Sequence, residues 1–294
     1  MGGRLLALVA GCVLAGNAIS AQQAAIERRL GPSIAAKAGA PNLKSTSALV
    51  LDQSGQRVLY AKNVDRVVPI ASLTKLMTAL VVLDSGLPLD EPITISKDDR
   101  DGLKGTRSRL AVGMTVTRDD LLRLALMASE NRAAAALARA YPGGTPAFVA
   151  AMNRKAAELG MWHSRFVDGT GLSNGNVSNA QDLSRLVGAA HRHPLIREYT
   201  TDTQHTVRLA NGRKMQFSNS NRLVRNSGWE IGLSKTGYIS EAGRCLVMQA
   251  QIAATPVIIV LLDSWGYLTR IGDANRIKKW MESRSSHQPA GYAW

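Results

Sequence analysis

The chain has 294 residues, of which 45% are hydrophobic, enough for one large domain with its own core or for two small ones. The formal net charge is +14, from 36 Lys and Arg against 22 Asp and Glu. The basic residues are scattered, without a Lys/Arg block, an aromatic RNA-binding string or zinc-finger spacing, so no nucleic-acid partner is expected. A polyanionic partner and simple solubility both remain open as explanations of the charge.

Residues 1–21 have the pattern of an export signal. Arg4 supplies a positive charge, residues 5–16 are apolar, and small residues follow that allow cleavage after Ser20 or Ala21. The apolar stretch is too short to cross a bilayer comfortably, so no transmembrane anchor is expected.

The chain contains two cysteines, and neither predicts a disulfide. The Val-Ala-Gly sequence before Cys12 resembles a lipoprotein cleavage signal, which is a less favoured alternative to a fully removed peptide. Removal of the signal would leave Cys245 alone within an apolar run. We therefore expect Cys245 to be a buried thiol without a role in chemistry.

The first part of the chain predicts a β-hairpin followed by a helix. Residues 47–52 and 57–61 read as two strands around the turn residues 53–56. Helical spacing of apolar residues then begins at Ser72 and continues to a stop signal at 84–86.

The middle of the chain is predicted to be mostly helical. A polar segment at 88–115 contains one short strand candidate at 92–95, and N-cap residues at 117–120 precede the next helix. Further elements are a turn-rich loop at 169–176 and helices at 131–140, 146–159 and 180–191.

The last third of the chain returns to strands. Residues 207–216 predict a hairpin whose turn is Ala210, Asn211 and Gly212. Three strands that short turns force to run antiparallel follow at 233–238, 244–252 and 257–263. A closing helix that should pack on the sheet is marked by Leu268, Ile271, Ile277, Trp280 and Met281.

Strands at both chain ends with helices between them predict an α/β (α+β) fold. The simplest packing is one antiparallel sheet built from both ends and flanked by helices, with the middle helices forming an all-helical lobe. A ligand site is expected in the cleft between the sheet and this lobe.

Three short polar strings stand out against this pattern, and the first combines a serine with a lysine. Ser72 and Lys75 are three residues apart at a helix start, so their side chains should lie on one face. A serine hydroxyl becomes a nucleophile when a base takes its proton, and a lysine can do so if burial lowers its pKa. An ordinary helix start with a solvated lysine is the alternative for this string alone.

The other two strings supply polar groups. Ser129-Glu130-Asn131 interrupts an apolar helix, where its serine could relay a proton and its asparagine could bind an amide. Lys235, Thr236 and Gly237 lie on a predicted strand beside the cleft. The lysine would make this wall positive, the threonine hydroxyl could bind a substrate carboxylate, and the glycine would let a ligand backbone approach closely. Each string alone could be a turn or a strand end. Their joint occurrence in this order predicts one shared active site.

Other titratable residues do not form a competing site. His191 and His193 have no third ligand nearby in the sequence, so no metal site is predicted. Asp168 and Asp182 have no geometric relation to Ser72 that would indicate a Ser-His-Asp triad.

The three strings resemble those of the penicillin-binding serine peptidases, in which S-x-x-K, S-x-N and K-T-G recur. The similarity runs from about Ser47 to about Glu282 and is closest to the low-molecular-weight D-Ala-D-Ala peptidases. It includes the stretches 69–78, 159–161, 166–172 and 219–223.

The resemblance implies an acyl-enzyme mechanism without cofactors. Ser72 would be the nucleophile, Lys75 its base and Ser129 the proton relay, while Tyr238 would give a second oxyanion N–H beside that of Ser72. Substrate would be held by Asn131, Lys235, Thr236 and Gly237. The implied partners are stem peptides and cross-links of peptidoglycan, with β-lactams as inhibitors, in the periplasm.

Departures from the family pattern bear on the reaction. No Glu-x-x-Leu-Asn string is present to activate a deacylating water, so efficient β-lactamase activity is not expected. The segment after the last strand has no base before Arg270, and the extra C-terminal β-domain of many carboxypeptidases is absent, so an endopeptidase is favoured. A carboxypeptidase, a β-lactamase and a catalytically silent peptidoglycan-binding protein remain alternatives.

The expected organisation has four parts. These are a signal peptide at 1–21, a lead-in at 22–44, one peptidase domain at 45–284 and a flexible tail at 285–294.

Overall fold

The computed structural model describes residues 39–54, 57–209 and 212–285. The predicted signal peptide, most of the lead-in, the turn residues 55–56, the hairpin tip 210–211 and the tail from residue 286 lie outside the described residues.

Strands from both ends of the described chain form one sheet. The first two are β1 (Ser47–Asp52) and β2 (Arg57–Lys62), and the last three are β9 (Glu230–Ile239), β10 (Gly243–Ile252) and β11 (Thr255–Ser264). Their order is β2-β1-β11-β10-β9, with every neighbouring pair antiparallel. The predicted antiparallel sheet is therefore confirmed, and β9 is one of its edges.

Helices fill the middle of the chain and close its end. They are α1 (Thr74–Asp84), α2 (Arg118–Met127), α3 (Asn131–Arg139), α4 (Gly144–Glu158), α5 (Ala180–His191), α6 (Pro194–Thr201) and α7 (Thr269–Ser285). Three short antiparallel strand pairs accompany them: β3 (Val68–Pro69) with β6 (Val177–Ser178), β4 (Pro92–Thr94) with β5 (Thr115–Thr117), and β7 (Gln204–Arg208) with β8 (Lys214–Ser218).

The predicted helices are present, and one further helix was not predicted. Thr117 caps α2 by accepting a hydrogen bond from the Asp120 N–H, as its N-cap pattern indicated. The unpredicted helix is α6, which has eight residues and begins at Pro194. A helix this short has little intrinsic stability, so its local pattern is weak and tertiary packing has to stabilise it.

Side chains alternate across the sheet, and both faces are buried. On one face Val50, Met248 and Ile259 belong to the cluster that includes Ile277 of α7. On the other face the neighbouring strand positions join the larger core with α5 and the helical lobe. The three inner strands β1, β11 and β10 are therefore largely apolar along their length, because both of their sides are covered.

The closing helix differs from its prediction at one end. Ile277 and Met281 are buried against the sheet, and Trp280 meets Tyr60 edge-on at 6.4 Å between ring centroids. Leu268, however, precedes α7 and is 53% exposed, so the expectation that it packs on the sheet is wrong.

Helix α1 is the axis of the helical lobe. Its residues from Thr74 to Val82 are all buried, and α1 contacts α2, α3, α4 and α5. A helix that is enclosed on every side can carry a polar group only where its neighbours satisfy that group's hydrogen bonds. Lys75 is such a group.

Asp273 of α7 joins the two ends of the described chain. Its buried carboxylate accepts hydrogen bonds from the backbone N–H groups of Lys44 and Ser45 at 3.0 and 2.7 Å. It also accepts from the Ser45 hydroxyl at 2.6 Å and pairs with Arg276 at 2.6 Å. The carboxylate therefore fastens the segment before β1 onto α7.

We predict that Asp273→Ala lowers the free energy of unfolding by about 2 to 4 kcal/mol, because buried donors would lose their acceptor. The measurement is urea unfolding of wild type and variant. Asp273→Asn is the matched control, since its amide oxygen keeps one acceptor and should recover part of the loss. Equal stability of Asp273→Ala and wild type would contradict the prediction.

Candidate active site

Ser72 lies in a short 3-10 helix, Ala71–Leu73, that runs directly into α1. The prediction that the α-helix itself begins at Ser72 is wrong, because α1 begins at Thr74. Ala71, directly before Ser72, has a φ of +48°, which is not helical and is unusual for a residue with a Cβ. The turn before α1 is therefore tight, and Ser72 is placed at its centre.

The Lys75 side chain is completely buried and has three acceptors within reach. Its Nζ lies 2.8 Å from Ser72 Oγ, 2.7 Å from Asn131 Oδ1 and 2.6 Å from the carbonyl oxygen of Thr170. The structure thus brings together a serine, a lysine and an asparagine from the first two sequence strings. The Thr170 carbonyl was not predicted as part of the site.

These three contacts determine where a neutral Lys75 would direct its lone pair. The oxygens of Asn131 and Thr170 can only accept, and Asn131 has its amide nitrogen turned to Thr106 Oγ1 at 3.1 Å. A neutral amine has two N–H donors, which these two carbonyl oxygens take. The lone pair is then left for the hydroxyl hydrogen of Ser72, which is the arrangement a general base needs.

Burial lowers the pKa of Lys75 from its ordinary value to about 7. The negative charges of Asp168 and Glu130 oppose this shift and hold the pKa above the value that burial alone would give. A substantial fraction of Lys75 is therefore neutral at neutral pH.

The second sequence string forms the connection between α2 and α3. Ser129 has a φ of +60°, so the chain turns sharply after α2, and Glu130 then caps α3 by accepting from the Ala133 N–H at 2.8 Å. Left-handed backbone at a residue with a Cβ costs free energy and is found preferentially at functional sites. The turn directs Ser129 towards β9 and Asn131 towards Lys75.

Lys235 connects β9 to Ser129. Its Nζ lies 2.8 Å from Ser129 Oγ and 3.0 Å from the carbonyl oxygen of Thr236, and its side chain is buried. Burial, followed by the charges of Lys75 and Arg270, lowers the pKa of Lys235 well below its ordinary value. All three predicted strings thus meet at one place, between the edge strand and the helical lobe.

Thr236 and Gly237 complete the edge of the site. Thr236 Oγ1 lies 2.7 Å from Ser220 Oγ, and the carbonyl oxygen of Gly237 accepts from Arg270 Nη1 at 3.0 Å. A Cβ added at Gly237 would lie 3.0 Å from the Ile70 carbonyl oxygen and 3.2 Å from the Ser72 nitrogen. Gly237 thus packs closely on the turn that carries the serine, a contact that was not predicted; the predicted approach of a ligand backbone at Gly237 stays a prediction.

Asp168 organises the loop that supplies the Thr170 carbonyl. Its carboxylate accepts from the backbone N–H groups of Thr170, Gly171 and Ser173 at 2.6, 2.7 and 3.0 Å. A Cβ at Gly171 would lie 2.0 Å from the Ala71 carbonyl oxygen, so the loop is packed directly on the serine turn. The Asp-Gly-Thr-Gly composition predicts a turn, but no local signal identifies the one carbonyl that meets Lys75.

A second loop, residues 100–114, reaches from the helical lobe to the sheet. Asp101 shapes it by accepting from the N–H groups of Leu103, Lys104 and Thr106. Lys104 forms a salt bridge with Glu241, which lies between β9 and β10. This connection beside the cleft was not predicted.

The described residues contain no cluster of three metal-binding side chains, and none of their helices is long and apolar enough to span a membrane. Cys245 is buried and free, in agreement with its prediction.

Comparison with known proteins identifies the family. The model of the D-alanyl-D-alanine carboxypeptidase family matches residues 34–265. The chain belongs to this family. It is a serine DD-peptidase, and the family and enzyme class predicted from the three strings are confirmed.

Individual relatives of this DD-peptidase agree with that assignment. A D-alanyl-D-alanine endopeptidase of Pseudomonas aeruginosa is 51% identical over 84% of this chain and 81% of the relative. The crystal structure of the Streptomyces K15 DD-transpeptidase superposes with a TM-score of 0.76 at 29% identity, over 83% of this chain and 98% of that one. Penicillin-binding protein D2 of Listeria monocytogenes, in its ampicillin-bound form, has a TM-score of 0.71 at 30% identity, over 82% and 98%.

Gly237→Ala is predicted to slow acylation by a β-lactam about tenfold, because the added methyl group would displace the Ser72 turn by a fraction of an ångström. The rate is measured with a fluorescent penicillin. Gly188→Ala in α5 is the control, since its Cβ would meet only Ile258 Cδ1, at 3.8 Å. An unchanged rate for Gly237→Ala would show that the close packing does not position Ser72.

The acylation rate should rise with pH through a midpoint near 7, because only neutral Lys75 can accept the Ser72 proton. Glu130→Gln should move this midpoint to lower pH, since it removes a charge that raises the Lys75 pKa but keeps an oxygen to cap α3. The measurement is the second-order rate constant of acylation across a pH series, with Glu282→Gln as the control. A midpoint that stays in place in Glu130→Gln would disprove the coupling.

Proposed function

We propose that this protein is an exported DD-endopeptidase that cuts D-Ala-containing cross-links of peptidoglycan in the periplasm. The observation that carries the proposal is the Ser72–Lys75 pair, with its lone pair directed by two carbonyl oxygens. The endopeptidase reaction is supported by the 51% identity to a protein of that name. The export signal predicted at residues 1–21 supports the location.

The proposed reaction begins with acylation of Ser72. Lys75 takes the hydroxyl proton while Ser72 Oγ bonds to the carbonyl carbon of the D-Ala residue. The negative oxygen that forms would accept hydrogen bonds from the N–H groups of Ser72 and Tyr238. The two backbone segments lie side by side, because Gly237, which precedes Tyr238, packs against the serine turn.

Breakdown of this intermediate requires a proton on the leaving amine. Ser129 is suited to deliver it, because its hydroxyl is fixed by Lys235 at 2.8 Å. As Ser129 gives its proton to the amine, it would take up the proton that Lys75 removed from Ser72, which leaves Lys75 neutral again. The C–N bond breaks, the amine leaves, and the D-Ala residue remains as an ester on Ser72. Water then attacks the ester and gives one proton to neutral Lys75, which passes it to Ser72 Oγ as the ester bond breaks and the D-Ala carboxyl group leaves.

The remaining residues would position the substrate. Asn131 has its amide nitrogen towards the open side of the site and could bind a substrate carbonyl. Lys235 and Thr236 would bind the carboxylate beyond the scissile bond. A bound carboxylate would also favour the charged form of Lys235, whose pKa is lowered in its absence.

One observation favours a carboxypeptidase as the second candidate. Carboxypeptidases of this kind hold the terminal carboxylate of D-Ala with a basic residue, and the sequence offers no base there before Arg270. The Arg270 guanidinium nevertheless reaches β9 and donates to the Gly237 carbonyl oxygen. It could therefore contribute to binding a terminal carboxylate.

The deciding experiment offers the enzyme a purified cross-linked muropeptide dimer and a monomeric pentapeptide, with the products identified by mass. We expect the dimer to be converted to monomers and the pentapeptide to be cut more slowly. Ser72→Ala should abolish the reaction and labelling by fluorescent penicillin, whereas Ser85→Ala, outside the site, should not. Cleavage of the dimer by Ser72→Ala would refute the mechanism, and cleavage of the pentapeptide alone would favour the carboxypeptidase.

A further inference from the structure

Four side chains beside the site form a stacked series, which we call the arginine–tyrosine ladder: Arg222, Tyr267, Arg244 and Tyr238. The Arg244 guanidinium carbon lies 4.5 Å from the ring centroid of Tyr238 and 4.8 Å from that of Tyr267. Arg222 lies 5.4 Å from the Tyr267 ring and donates to its hydroxyl at 3.2 Å. Cations and aromatic rings thus alternate along the ladder.

The ladder is continuous with the site. Tyr238 directly follows Gly237 on β9, and it is the residue whose N–H is proposed to bind the oxyanion. At the other end of the ladder, Arg222 follows Ser220 and Asn221 in the chain, and the Ser220 hydroxyl is hydrogen-bonded to that of Thr236. A substrate whose carboxylate lies at Thr236 would continue towards the ladder on its leaving-group side.

The ladder presents exposed rings and uncompensated positive charge. Tyr238 and Tyr267 are 56% and 61% exposed, and neighbouring Trp265 is 79% exposed. Within the described ranges, no carboxylate lies within ion-pair distance of Arg222 or Arg244. Exposed aromatic side chains next to arginines are typical of surfaces that bind a partner, whereas an ordinary solvent-exposed surface has few of them.

This composition selects a carboxylate-bearing peptide. The Arg244 guanidinium lies 4.5 and 4.8 Å from the two ring centroids, and a guanidinium in contact with rings can still bind a carboxylate with two parallel hydrogen bonds from its N–H groups. The ring faces can cover the apolar parts of the same ligand. A cross-link offers such a ligand, because a second stem peptide with its own carboxylates extends beyond the bond that is cut.

We infer that the arginine–tyrosine ladder binds the second stem peptide of a cross-link through its carboxylates and so favours dimers over monomers. This inference rests on the proposed function and adds to it the surface that would recognise the larger leaving group. Tyr238 contributes its side chain to the ladder and its backbone to the reaction.

The test compares steady-state kinetics of Arg244→Ala and Arg222→Ala with wild type on the cross-linked dimer. We expect KM for the dimer to rise about tenfold in each variant, which is the effect of losing one charge-assisted hydrogen bond. The kcat of each variant should stay within about twofold of the wild-type value. Tyr267→Phe should keep the stacking and change KM less. Arg192→Ala, an exposed arginine at the end of α5, removes the same charge elsewhere and should behave as wild type.

Acylation by a fluorescent penicillin, which has no second stem peptide, serves as the folding control and should be unchanged in all four variants. An unchanged KM in Arg244→Ala and Arg222→Ala would overturn the inference, and so would an equal rise in Arg192→Ala. Failure of the wild-type enzyme to cleave the dimer would instead overturn the proposed function. The two failures are therefore distinguishable.

Discussion

The burial of Lys75 among two carbonyl oxygens and one hydroxyl is the constraint on which the rest of the site depends. These acceptors come from three separate parts of the chain, and a buried amine without them would be strongly destabilising. The fold must therefore bring α3 and the Asp168 loop onto α1 before the lysine can be buried. The same burial makes Lys75 a base near neutral pH.

Backbone strain and close packing together determine the shape of the pocket. Ala71 and Ser129 both have positive φ, and both belong to turns that direct a reactive side chain inward. Gly171 and Gly237 press on the Ala71–Ser72 turn from two sides, where a side chain would collide. Surrounding contacts that leave no alternative conformation are what allow such strained turns to persist.

Much of this arrangement could be predicted from the sequence, because long elements carry strong periodicity and the three strings carry side-chain chemistry. The central sheet, most helices and the meeting of Ser72, Asn131 and Lys235 follow from those signals. The Thr170 carbonyl, the contact from Arg270 and the ladder could not be predicted, since each depends on tertiary placement of a backbone oxygen or an exposed side chain. Helix α6 and the early start assigned to α1 show the same limit at the local scale, where packing overrides a short pattern.

Lys104 and Glu241 join the helical lobe to the sheet beside the cleft. An ion pair between partly exposed side chains is weakened by water and salt, so this pair contributes little to stability. Because the pair is weak, this connection beside the cleft can break and re-form at little cost in free energy.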